Sequence, residues 1–178
     1  MRFPVVVTFP VHWGEMDALG HVNHARFLTW LETARIELCA KIGVFADGVR
    51  GVGPILANVS CDYLRPVQFP AIVSAGVRVR AIGRTSLTME YAVWLEGAPE
   101  SPVARATTVV VLIDYATMAK VPVSDDVRAA IAALEVPAAR TLRTPAAATG
   151  APSCAADSRA RRAHFASAPD RSKTWSHP

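Results

Sequence analysis

Residues 14–43 read GEMDALGHVNHARFLTWLETARIELCAKIG. Within that stretch Phe27, Trp30, Leu31, Ala34, Leu38 and Ile42 recur at intervals of three and four, the spacing of one face of an α-helix. Arg26, Glu32, Arg35, Glu37 and Lys41 occupy the other faces. Asn23 is a good side-chain acceptor for the first free amides of such a helix, and Gly43, just past Lys41, supplies its stop. The pattern predicts one helix of about five turns with a wide apolar stripe, and the stripe must be covered by something.

The rest of the chain supplies strands. Phe3, Val5, Val7, Phe9, Val11 and Trp13 are apolar at every second position, the period of a strand with one buried face. Pro4 and Pro10 lie on the other parity and break the hydrogen-bond ladder there, which suggests an edge or bulged strand. Ile55, Ala57, Val59, Cys61 and Tyr63 alternate against Asn58, Ser60 and Asp62 until Arg65-Pro66 ends the run. Val73 to Ala81 and Leu87 to Leu95 alternate in the same way and meet at a short turn around Gly83, the pattern of a hairpin. Val109 to Ile113 is apolar on both parities, as in a central strand. Ser124 caps a short helix running to about Leu134. One long helix against a single antiparallel sheet is an α+β arrangement in layers.

Residues 136–178 have a different character, rich in Ala, Pro, Ser, Thr and Arg and without a period. They are read as a flexible tail appended to a domain of residues 1–135. The last four residues, WSHP, match the start of a common streptavidin-binding affinity tag, so the tail is given no functional weight. It also carries the charge. The formal net charge is +4, but the tail holds seven basic and two acidic residues, whereas residues 1–135 hold twelve and thirteen. A net charge near −1 on the domain gives no reason to expect a nucleic-acid partner. No apolar run approaches the roughly 20 residues of a membrane span, and the two prolines of the amino-terminal stretch argue against a signal peptide. Three cysteines without C-x-x-C spacing suggest neither a disulfide framework nor a zinc cluster, and fit a reducing, cytoplasmic setting.

Three motifs now carry a resemblance. DALGHVNHARF at 17–27, LETAR at 31–35 and DYLRPV at 62–67 closely resemble the hotdog-fold acyl-CoA thioesterases of the 4-hydroxybenzoyl-CoA thioesterase type, over roughly residues 3–135. The resemblance implies a central helix wrapped by a five-stranded antiparallel sheet. It implies a homodimer whose two sheets join edge to edge, often paired again into a dimer of dimers. It puts Asp17 at the family's catalytic carboxylate and His24 at the start of the central helix, where a backbone N–H points at the thioester carbonyl. Glu15 stands where the family more usually has an aspartate, which leaves the role of that side chain open.

The residue types make chemical sense without the family. Thioester hydrolysis builds negative charge on a carbonyl oxygen, and a helix N-terminus offers unpaired N–H donors and a positive dipole end. One well-placed donor lowers such a barrier by about 3–4 kcal/mol. A carboxylate then attacks the carbonyl itself or deprotonates an attacking water. Asp17, Asn23 and His24 are therefore the expected catalytic group, with Asn23 serving as helix cap or substrate contact and His24 acting through its amide or its imidazole. Gly20, His21, Glu32, Tyr63 and Arg65 are the expected substrate-binding residues. Arg65, with Arg78, Arg80 and Arg84, is a candidate for the phosphates of coenzyme A. Glu32 and Arg35, three residues apart, read as a pair on the helix surface, or in a dimer as lining of the acyl pocket or interface. Cys39 and Cys61 read as small core residues. His21 and His24, with His12, Glu15 and Asp17, are ligand types, but the two histidines straddle a helix start, so neither a metal nor a cofactor is expected.

The function implied is hydrolysis of acyl-CoA to a carboxylic acid and free CoA. Two other readings stand beside it: a hotdog enoyl-CoA hydratase or dehydratase, and a non-catalytic acyl-CoA binding module that keeps the cradle without the carboxylate.

Overall fold

A computed structural model describes residues 2–45 and 51–135. The expected tail, 136–178, lies outside the described residues.

Strand β1 (Val5–Pro10) leads through a single 3-10 turn (Trp13–Glu15) and a short loop into helix α1 (His24–Lys41). Four strands follow, β2 (Val52–Tyr63), β3 (Ile72–Ile82), β4 (Ser86–Leu95) and β5 (Pro102–Asp114), and then helix α2 (Asp125–Glu135). The strands form one sheet in the order β1-β3-β4-β5-β2, and every neighbouring pair is antiparallel. This is the hotdog arrangement, a helix held in a curved sheet. The first two strands of the chain stand at opposite edges because α1 carries the chain across the sheet between them.

The helix begins where the Asn23 side chain accepts the Ala25 N–H at 3.0 Å, and ends at Gly43, whose φ of 77° suits only a residue without a Cβ. Phe27, Trp30, Leu31, Ala34 and Leu38 are buried against the inward side chains of β3 and β4, among them Val73, Val77, Leu87, Met89 and Val93. In the sheet, α1 lies closest to β3 and then β1, where Trp30 stacks on Phe9 at 6.3 Å. Ser124 caps α2 through the Val127 N–H.

Three expectations need correction. Trp13 leaves the buried parity of β1 and is 73% exposed, because the strand ends at Pro10 and the 3-10 turn rotates the tryptophan outward. β2 begins at Val52 rather than Ile55, and its alternating apolar residues are not a buried set: Ile55, Val59 and Tyr63 are all exposed. A bulge between Leu56 and Asn58 shifts the register, so Ile55 and Val59 cannot share a face, and among the described residues no strand pairs with the outer edge of β2. Arg35 is no surface partner of Glu32. It is 8% exposed, one turn beyond Leu31 on the buried stripe, and makes no ion pair among the described residues.

Candidate functional site

The loop before α1 is a miniature hairpin. Met16 and Val22 form an isolated antiparallel bridge, and between them the Asp17 N–H donates to the His21 carbonyl at 2.8 Å. The Gly20 N–H returns to the Asp17 carbonyl at 3.0 Å, closing a turn that needs the positive φ of 79° found at Gly20. Two further bonds fix this hairpin in the domain: Val22 N–H to the Val67 carbonyl at 2.8 Å, and Asn23 N–H to the Glu15 carbonyl at 2.9 Å. The Glu15 carboxylate accepts the His12 N–H at 2.9 Å, so this side chain caps the 3-10 turn and faces away from the chemistry of Asp17.

Asp17 is half-buried. Its Oδ1 accepts the Leu19 N–H at 2.8 Å, which orients the carboxylate, while Oδ2 has no hydrogen-bond partner among the described residues. At the start of α1 the Ala25 and Arg26 amides are bound by Asn23, the first by its side chain and the second by its carbonyl. The His24 amide makes no hydrogen bond among the described residues, as expected for a first-turn donor. Tyr63, at the end of β2, donates its hydroxyl to the His24 carbonyl at 3.3 Å and stands edge-on to the His24 and Phe27 rings at 6.2 and 5.3 Å. It thus ties the edge strand to the first turn of the helix. Burial, and secondarily the Cys61 thiol, push the Tyr63 phenol upward, which keeps it a donor.

These groups line one open pocket of about 350 Å³. Its wall includes Asp17, His21, His24, Tyr63 and Arg65, five of the eight residues expected from sequence. Gly20, Asn23 and Glu32 are not in it. Gly20 shapes the turn, Asn23 spends its side chain on the helix cap, and Glu32 borders a separate hollow two turns along α1. Of the four candidate phosphate ligands only Arg65 reaches the pocket, and its guanidinium also donates to the Ser101 carbonyl. Arg78 is paired with Glu90 across β3 and β4, and Arg80 and Arg84 are exposed elsewhere. Val22, Phe27, Leu64, Pro66 and Val67 complete the wall, and sequence reasoning had singled out none of them as a site residue. The DYLRPV motif does contain Leu64, Pro66 and Val67, but nothing in its spacing shows that Val67, outside any strand, turns inward and is 2% exposed.

Cys39 is buried, and burial pushes its thiol up to about 12, so no thiolate is available there. Among the described residues no cluster of three or more histidine, cysteine or acidic side chains could hold a metal ion, and no helix is long and apolar enough to cross a membrane.

The sequence profile of the thioesterase-like superfamily matches residues 11–131. A thioesterase from Thermus thermophilus, solved with coenzyme A and zinc, superposes with a TM-score of 0.64 at 34% identity, covering 75% of this chain and 95% of that one. A thioesterase superfamily structure from Jannaschia sp. CCS1 gives a TM-score of 0.67 at 29% identity, covering 72% and 81%. The uncharacterised YsmA protein of Bacillus subtilis (strain 168) is 31% identical over 90 residues, which is 50% of this chain and 60% of that protein.

Proposed function

Because the chain belongs to the thioesterase-like superfamily, and is on that ground a thioester hydrolase, we propose that it cleaves acyl-coenzyme A, with Asp17 as the attacking or proton-accepting carboxylate. The observation that carries this reading is the shared pocket: the Asp17 carboxylate and the first turn of α1 border the same 350 Å³.

In the reaction a water oxygen, or Asp17 itself, adds to the thioester carbon, and the carbonyl oxygen becomes an anion. The unpaired His24 amide and the dipole of the helix start hold that charge. The C–S bond then breaks and the sulfur of coenzyme A leaves as a thiolate that takes up a proton. If water attacks, Asp17 receives its proton; if Asp17 attacks, water hydrolyses the resulting anhydride. In a single turnover in heavy-oxygen water, label in the Asp17 carboxylate establishes the covalent route, with water attacking the aspartyl carbon of the anhydride and an Asp17 oxygen leaving in the acid. Tyr63 acts here as a positioning residue that steadies the His24 peptide. Arg65 supplies the one cation of the pocket wall for a coenzyme A phosphate, and the relative solved with coenzyme A supports that ligand class.

The working unit in this reading is a homodimer joined along β2, the uncovered edge, with a dimer of dimers as the larger assembly. Its setting is the cytoplasm. The test is release of free thiol from a panel of acyl-CoA thioesters, from acetyl to palmitoyl and benzoyl types. Thiol release establishes the hydrolase; loss of enoyl absorbance without thiol release transfers the site to a hydratase, and binding without either to a carrier.

A further inference from the structure

The helix and β2 enclose a second hollow, of about 180 Å³, that the chemistry above does not use. It is lined by apolar Leu28, Leu31, Leu56 and Val59, together with Thr29, Glu32 and Arg35. Glu32 is exposed, whereas Arg35 is more than nine-tenths buried and has no ion pair or hydrogen bond to a carboxylate among the described residues. Its inner neighbours are the Cys39 thiol and the Tyr91 hydroxyl, which bonds Thr108 Oγ1 at 2.9 Å and can accept a guanidinium N–H besides; burial pushes both groups upward and keeps them neutral. A guanidinium largely withdrawn from water is disfavoured unless a counter-charge reaches it. The neutral groups on its inner side can take its hydrogen bonds without balancing its charge, and the hollow is the side from which an anion can reach it.

The hollow has a direction. The catalytic pocket lies between His24 and Phe27 on α1 and Tyr63 and Leu64 on β2 and just beyond it; the second hollow lies between Leu28 and Arg35 on α1 and Val59 and Leu56 on β2. Both occupy the seam on the side of α1 away from its close packing on β3 and β1. Eleven residues of helix rise separate His24 from Arg35, roughly 16 Å, and an arginine side chain leans back toward the helix start, so its charge stands closer than that.

We propose that Arg35 receives a carboxylate carried at the far end of an apolar stem, and that in the working enzyme this is the ω-carboxylate of a dicarboxylic acyl group whose thioester sits at Asp17. The second half of the statement rests on the acyl-CoA reading above. A collar of leucine and valine with a buried cation at its base fits an alkyl chain that ends in charge, and a methyl-ended chain would leave the guanidinium unmatched.

The experiment compares kcat/KM for succinyl-, adipyl-, suberyl- and sebacyl-CoA with that for butyryl-, hexanoyl-, octanoyl- and decanoyl-CoA. Wild type should prefer the carboxyl-ended partner at one or more matched lengths by about tenfold, as a charge-assisted hydrogen bond of about 1.5 kcal/mol or more provides. Arg35→Met should bring that ratio to one or below. Since a buried arginine variant can fail to fold, Glu32→Gln is the second variant: it removes an acid that repels the incoming carboxylate and should raise the ratio through KM. Binding of free octanoate that is competitive with octanoyl-CoA and lost with Arg35 would assign the anion to the released acid and overturn the dicarboxylate. Thiol release without any carboxyl preference overturns the inference and leaves the hydrolase standing, whereas no thiol release from any thioester removes the hydrolase reading. Dissociation of an oligomer by Glu32→Gln, with the ratio unchanged, would assign the anion to a partner subunit's acid and likewise overturn the proposal.

Discussion

The two edges of the sheet are built to opposite ends. β1 has six residues, ends at Pro10 and has α1 close behind it, so Val5, Val11 and Trp30 are buried at that edge. β2 has twelve residues, carries apolar side chains on both faces and is exposed throughout Ile55 to Ser60. Edge strands invite pairing, and proline and shortness are the ordinary ways of preventing it. The sheet prevents it on one side and leaves it open on the other, and both hollows that border α1 and β2 lie on the open side. Stability is concentrated where the helix closes on the sheet, and chemistry where it does not.

The sharpest way to break that contrast is to damage the closed side. Trp30 is 3% exposed and fills the space between Phe9 and Phe27, at 6.3 and 4.9 Å. Trp30→Ala removes the largest side chain of the helix stripe, and urea unfolding should show a loss of about 4 kcal/mol. A loss below about 1 kcal/mol would mean that the helix does not owe its place to this side of the sheet. Asp17→Asn is the counterpart on the open side. Asn keeps an oxygen for the Leu19 amide, so the turn survives and stability should stay within about 0.5 kcal/mol. Thiol release should nonetheless fall at least about a hundredfold, near 2.7 kcal/mol of barrier. Undiminished turnover would send the search to another side chain of the pocket.

Asn23→Ala falls between these two, because the cap belongs to the fold and the first turn it secures belongs to the site. Loss of the bond to the Ala25 amide should cost about 1 kcal/mol of stability. If the His24 amide holds the oxyanion, kcat should fall while KM changes little; an effect on stability alone would confine Asn23 to structure.

The same contrast explains what could be read in advance. On the closed side, local periodicity and three-dimensional burial agree: the three-and-four spacing of α1, the cap at Asn23, the Gly83 hairpin and the interior place of β5 all follow from sequence neighbours. On the open side they part company. The alternation of Ile55 to Tyr63 looks like a buried face, yet the bulge at residue 57 breaks its parity and no strand among the described residues pairs with its outer edge. Arg35 reads as surface because arginine usually is, and its neighbour the Tyr91 hydroxyl lies across the core, 56 residues later in the chain. Asp17 and His24 were legible because their motif is continuous, whereas Val67 reaches the same pocket through a hydrogen bond from Val22 that no local pattern announces.

The smallest expected change in folding comes from the open edge itself. Val59 is 39% exposed midway along β2, so a lysine there can lay its stem over the same apolar neighbours while its ammonium stays in water. Val59→Lys should therefore leave unfolding within about 0.5 kcal/mol when measured on the separated chain. If two copies join along β2, the same lysine meets its own symmetry mate or lies close to it, since a two-fold interface uses one patch twice. Two like charges facing each other across paired strands oppose association as well as failing to support it. Sedimentation should accordingly show the variant shifted toward the monomer at concentrations where the parent associates. An oligomer as tight as the parent's would mean that β2 is not the joining edge, and that its apolar side chains must be covered in another way.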